Sequence, residues 1–238
     1  MVKLPCPGRT EVARMVTGAL RQALQREQLG RLVKSQKRTP MHFSLGAGVI
    51  RVYYGNDKDL FWVRCPDAAL VPCGRSWPSL VVEVGMPGES QTDLQERCRR
   101  WFCEPCVYNL NGEDQPISVV ISLHIRPWQG SDEQHLVIAS LLTRGVKAVQ
   151  EEASVTFGTS SAVDSGCQGG SGIISGEAVW QLPVRSLLGS LAEGLDEERE
   201  QGDENCEEGK QGHLSSATIE LDVPAALAGI GKALRQRG

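Results

Sequence analysis

Aromatic residues are scarce, with Trp, Tyr and Phe together filling 5% of the 238 positions, and histidine occurs four times. No stacking platform of aromatics interleaved with basic residues is therefore readable, as a binder of single strands would want. Long apolar runs are missing as well. The longest, Leu80–Val84 and Ile117–Ile125, are strand-sized, well short of the roughly 20 residues that cross a bilayer as a helix. The opening stretch Met1–Thr10 holds two prolines, Lys3 and Arg9 but no apolar core, so it does not read as a secretory signal. These absences predict an intracellular protein, cytoplasmic or nuclear, that is neither secreted nor held in a membrane. Several enzyme signatures are missing too: no phosphate loop, no G-x-G-x-x-G, no H-E-x-x-H and no G-x-S-x-G elbow.

What is present suits one packed core carrying insertions. Hydrophobic residues make up 40% and charged residues 23%, an ordinary globular balance that excludes a collagen-like or wholly disordered chain. The formal charge of -4 hides an asymmetry: residues 1–40 carry nine Lys/Arg against Glu11 and Glu27, whereas Glu193–Glu208 carries nine carboxylates against Arg199. The basic stretch offers either a solvated helix face or an attraction for polyanions, and the acidic one a surface for a protein partner. Eight cysteines without a readable signal are expected to be reduced thiols. Cys103 and Cys106 form a C-x-x-C, but no second pair stands at zinc-finger spacing, so buried, apolar-behaving thiols are the expectation rather than zinc or redox chemistry.

Periodicity places the elements. Val12, Met15, Val16, Ala19, Leu20, Ala23 and Leu24 recur at helical spacing within Thr10–Val33. Strand-like segments follow at Met41–Leu45, Val49–Tyr54 and Leu60–Val63, with Gly55-Asn56-Asp57 as a turn. Ser79–Val84 is nearly continuous β-branched or aliphatic residues, as in a strand buried on both faces. Ser90–Phe102 reads as a helix capped by Ser90 or Thr92, and Ile117–Ile125 as another strand. Gln134–Leu142 fits a strand or a short helix, and Ala153–Phe157 a short strand. Between Gly158 and Gly176, eleven of nineteen residues are Gly or Ser, which predicts a loop without fixed structure. The expected organisation is a core over 1–157, a flexible loop over 158–176, an ordered return over 177–190, an acidic disordered insertion over 191–211, and a strand and helix over 212–238 completing the same domain. Pro224 would open that last helix.

One residue breaks the pattern. Glu83 lies inside the most apolar strand, and an ionised carboxylate there is costly unless it is paired or bound to a cation. Asp67 follows Pro66 sixteen positions earlier. Two carboxylates meeting at one end of a sheet make a hard-oxygen site suited to Mg²⁺ or Mn²⁺, and such an ion can activate water against a phosphoryl group.

Together, a helix, a hairpin, Cys65-Pro66-Asp67-Ala68, Pro78-Ser79-Leu80-Val81-Val82-Glu83-Val84-Gly85, a helix ending in Arg100-Trp101-Phe102 and Ile117–Ile125 resemble the PD-(D/E)XK, or restriction-endonuclease-like, superfamily. The resemblance is to a divergent, uncharacterised eukaryotic branch and spans Glu11 to Leu234. It implies an α/β fold with a three-layer core, a mixed central sheet flanked by helices and flexible insertions. It also implies a Mg- or Mn-dependent nuclease cutting phosphodiesters in nucleic acid, with Asp67 and Glu83 as metal ligands. The motif lysine is absent: Gly85 stands in its place. Some branches draw the basic group from the following helix, where Arg97, Arg99 and Arg100 are candidates and Arg97, three residues after Leu94 and four before Trp101, is the one set to face the sheet. An arginine there could clamp or stabilise charge but not serve as a base. A further carboxylate on the first helix would be Glu11 or Glu27. The alternative implied by the missing lysine is a non-catalytic interaction module that keeps the fold.

Overall fold

The computed structural model describes residues 7–26, 41–45, 50–54, 57–72, 78–103, 117–128, 131–144, 149–159, 172–188 and 217–235. The first helix, α1, is Pro7–Arg26; the rest of its expected span, with Glu27, lies outside the described residues. Strands β1 (Met41–Leu45), β2 (Ile50–Tyr54) and β3 (Asp57–Arg64) follow. Then come β4 (Ala68–Pro72), β5 (Leu80–Gly85), helix α2 (Gln91–Cys103) and β6 (Val119–Trp128). Strands β7 (Ser131–Arg144), β8 (Val149–Thr159), β9 (Gly172–Gly176) and β10 (Val179–Pro183) lead to the short helix α3 (Val184–Leu188). The chain closes with β11 (Thr218–Asp222), α4 (Val223–Ala226) and α5 (Ile230–Arg235).

The architecture is mixed α/β. Seven strands form one sheet in the order β1-β4-β5-β6-β7-β8-β9, with β2–β3 and β10–β11 as separate two-stranded pairs. Strands β5 and β6 run parallel, joined by a crossover through α2; their neighbours pair antiparallel. Alternation along the strands then divides the core in two. Leu80, Val82 and Val84 point with Ile121, Leu123 and Ile125 toward Val12, Val16 and Leu20 of α1, and toward Trp180, Leu221 and Ile230 from the C-terminal elements. Val81 and Val120 point the other way, onto Leu94, Cys98, Trp101 and Phe102 of α2. Cys98 is a buried thiol in that second cluster, as expected of a small apolar residue. The sheet is thus sandwiched between α1 with the C-terminal elements on one face and α2 on the other.

Two expectations change, and one open choice resolves to a strand. The glycine- and serine-rich stretch is not all loop: β8 runs to Thr159, and Gly172–Gly176 pairs with it as β9. Its two isoleucines favour a strand, and Gly176, at φ +91°, passes so close to Ser154 that a Cβ would sit 2.1 Å from its carbonyl oxygen, which only glycine permits. The C-terminal helix is broken into α4 and α5, because Leu227 ends α4 with a non-helical φ of -109° and ψ of 11°. Gln134–Leu142 lies within a fourteen-residue strand, long enough to pair with β6 and β8 at once. Residues 191–211 and Cys106 lie outside the described residues. No described helix is long and apolar enough to cross a membrane.

Candidate functional site

The site grows from the end of β5. Antiparallel β4 begins just after Asp67, and its register pairs Ala68 with Val82. Asp67 stands immediately before that register begins and Glu83 immediately after Val82, so the two acids come from adjacent segments at the same end of the sheet. Asp67 thus stands between β3 and β4. The chain bends at Asp67: its backbone N–H donates to the Val82 carbonyl at 3.1 Å, and its Oδ2 accepts the Val84 N–H at 2.8 Å. Asp67 therefore acts as a side-chain cap on the strand that carries Glu83. It is 9% exposed and Glu83 only 1%.

Since Val82 and Val84 face α1, Glu83 faces α2 by the period-two rule. Helix α2 is started by Ser90, whose Oγ accepts the Asp93 N–H at 3.0 Å and donates to the Asp93 carboxylate at 2.7 Å, the reciprocal bonding of a capping motif. From that start, Leu94, Arg97 and Trp101 fall on one side of the helix, over the sheet. Arg97 Nε donates to Glu83 Oε2 at 2.7 Å, and Trp101 Nε1 donates to Glu83 Oε1 at 2.9 Å. Arg97 also donates to Glu89 Oε1 and, at 3.2 Å, to the Val84 carbonyl. Burial works against the Arg97 charge, but the attraction of Glu83 and Glu89, with their hydrogen bonds, outweighs it and raises the guanidinium above its ordinary pKa.

Glu89 is held in reach by a tight turn. Its N–H donates to the Met86 carbonyl at 3.1 Å, with Pro87 and then Gly88 at φ +94° between them, the residue order of a type II turn. Across the end of the sheet, Arg9 from the first turns of α1 donates to Glu89 Oε2 at 3.1 Å. The carbonyl of Glu89 contacts His124 Nε2 at 2.9 Å, and His124 Nδ1 accepts from Arg126 Nε at 3.1 Å. The result is an alternating chain of charges, Glu83, Arg97, Glu89 and Arg9, that ties β5, α2 and α1 together.

The metal expectation meets this geometry directly. No group of three or more His, Cys, Asp or Glu side chains is arranged to hold an ion among the described residues. Both Glu83 oxygens already accept N–H donors. One of those donors is a guanidinium, so a divalent ion at Glu83 would stand against a fixed positive charge, and the donor set as formed does not fit Mg²⁺ or Mn²⁺. The position of the motif lysine is closed as well: a Cβ on Gly85 would lie 2.9 Å from Leu94 Cδ2 and 3.0 Å from His124 Cδ2. Leu94 and His124 are buried and have little room to yield. Gly85→Ala is expected to cost ~1–3 kcal/mol through overpacking, read as a lower midpoint in urea unfolding. Of the two acids proposed on the first helix, Glu11 pairs with Arg14 at 3.0 Å, and Glu27 lies outside the described residues.

Spacing on α2 points to Arg97 in advance, and the same spacing reaches Trp101 at the next turn. Glu89 and Arg9 carry no such signal, because one sits in a turn and the other belongs to a different layer. A cavity of ≈ 90 Å³ opens beside the acids, between α2 and strands β6 to β8, lined by Gln95, Arg99, Ser122, Ser140 and Glu151 among others; Asp67, Glu83 and Arg97 do not line it. Comparison with protein-family models, with curated proteins and with solved structures finds no match to this chain.

Proposed function

We propose that this chain is a non-cleaving interaction module on a restriction-endonuclease-like framework, in which the acidic pair supports the fold instead of catalysing hydrolysis. The observation that carries the proposal is the pairing of Glu83, a 1%-exposed carboxylate whose two oxygens are held by Arg97 and Trp101. Gly85 adds to it, since a side chain there would press on Leu94 and His124. The binding surface is the outward face of α1. Arg21 and Arg26 are exposed there, as is Arg14, which pairs with Glu11, and no acidic residue occurs between Val12 and Arg26, so the helix suits an acidic partner reached by electrostatic attraction. The acidic tract Glu193–Glu208, expected from sequence to meet a protein partner, lies outside the described residues.

A metal-dependent nuclease is the second reading. It is favoured by the β4–β5 register, which brings Asp67 to the same end of the sheet as Glu83. Incubation with single- and double-stranded DNA and RNA in the presence of Mn²⁺ or Mg²⁺ separates the two. The module reading expects no cleavage, and salt-sensitive retention of the nucleic acid that an Arg21→Glu/Arg26→Glu variant weakens at least tenfold. Cleavage by the wild type that disappears in Asp67→Asn would overturn it; the amide oxygen of that variant still accepts the Val84 N–H, so the fold is kept.

A further inference from the structure

We infer that Arg97 is a tethered counter-cation, which takes the place a divalent ion would have at Glu83, so that the chain neither binds nor needs such an ion there. The inference deepens the non-cleaving reading and rests on the same side chains, but it concerns what neutralises the site rather than what the protein binds.

Three features carry it. First, the guanidinium engages the site with all three of its nitrogens, which go to Glu83, Glu89 and the Val84 carbonyl. That is a use of the rigid fork which a lysine point charge cannot reproduce. Second, the charges close on themselves. Glu83 and Glu89 are matched in charge by Arg97 and Arg9, so a divalent ion arriving at Glu83 would meet a guanidinium already in place. Third, the cation is held by its bonds. Arg97 leaves α2 between the buried Leu94 and Trp101, and Trp101 holds the other Glu83 oxygen. The Arg97 side chain keeps 27% of its surface exposed, so its hydrogen bonds and its covalent tether to α2, rather than enclosure, keep it at Glu83. A diffusible ion exchanges with solvent; this one cannot leave.

The indole N–H resonance of Trp101, assigned by its loss in Trp101→Phe, reports on the site directly. Titration of Mn²⁺ into the wild-type chain is expected to leave that resonance no more broadened than the other indole signals. In parallel, Arg97→Lys is expected to lower the thermal midpoint. Methylguanidinium is expected to raise the midpoint of Arg97→Gly while leaving the wild type unmoved, and methylammonium to rescue neither. Saturable broadening of Trp101 in the wild type, lost in Glu83→Gln, would overturn the inference, and so would an Arg97→Lys midpoint equal to that of the wild type. If Arg97→Gly does not fold, the wild-type titration decides alone. Mn²⁺ at Glu83 without cleavage sinks this inference and leaves the module reading standing. Cleavage without Mn²⁺ at Glu83 does the reverse.

Discussion

Arg97→Ala is expected to destabilise the chain by ~3–5 kcal/mol, the cost of leaving a buried carboxylate without its partner. Glu83 cannot turn to water for relief: it is 1% exposed and sits in a strand whose six residues are all buried. The loss should be coupled to the acid. In an Arg97→Met/Glu83→Gln pair both charges are gone, and most of the stability is expected to return, because well-packed neutral groups replace a buried ion pair at little net cost. Urea unfolding of the wild type, Arg97→Met, Glu83→Gln and the double variant gives the coupling directly. A single-variant loss below ~1 kcal/mol would place the pair among exposed salt bridges of small effect.

Trp101 is the second position where a large effect is expected. Trp101→Ala removes a 2%-exposed side chain from the cluster it forms with Val81, Leu94, Cys98 and Val120, at ~3–5 kcal/mol. Trp101→Phe keeps most of that packing and removes only the N–H that bonds Glu83 Oε1, at ~1–3 kcal/mol. The difference between the two separates packing from acid holding. If Glu83 is the reason for the N–H, Trp101→Phe should cost measurably less in a Glu83→Gln background. Equal costs in both backgrounds would make Trp101 a core residue and nothing more.

How far these residues could be read from sequence depends on which interactions place them. The strand around Glu83 is legible because a strand buried on both faces must be apolar throughout, and Val81, Val82 and Val84 are. The misfit of a carboxylate there is legible for the same reason. Arg97 follows from helical spacing once Leu94 and Trp101 are taken as the buried side. Glu89 does not follow, because its position depends on the turn at Pro87-Gly88 rather than on any periodicity. Arg9 follows still less, since the strand order that brings α1 to the end of β5 is a tertiary outcome. The β9 strand was hidden by composition: glycine and serine around Ile173 and Ile174 read as a linker until pairing with β8 supplies the partner. The break between α4 and α5 depends on the backbone at Leu227, where the sequence has no proline. Spacing also suggested a metal pair, and in this respect it was incomplete. It counts carboxylates that converge but not the donors that arrive from a neighbouring helix to satisfy them.

The central claim is that an internal guanidinium, not a metal ion, closes the acid pair. Its most direct test is a crystal of the wild-type chain grown in Mn²⁺, with anomalous differences recorded at the manganese edge. The account predicts no anomalous peak between Asp67 and Glu83, with Arg97 Nε and Trp101 Nε1 still on the two Glu83 oxygens. A peak ligated by Asp67 and Glu83, with Arg97 displaced toward solvent, would contradict it.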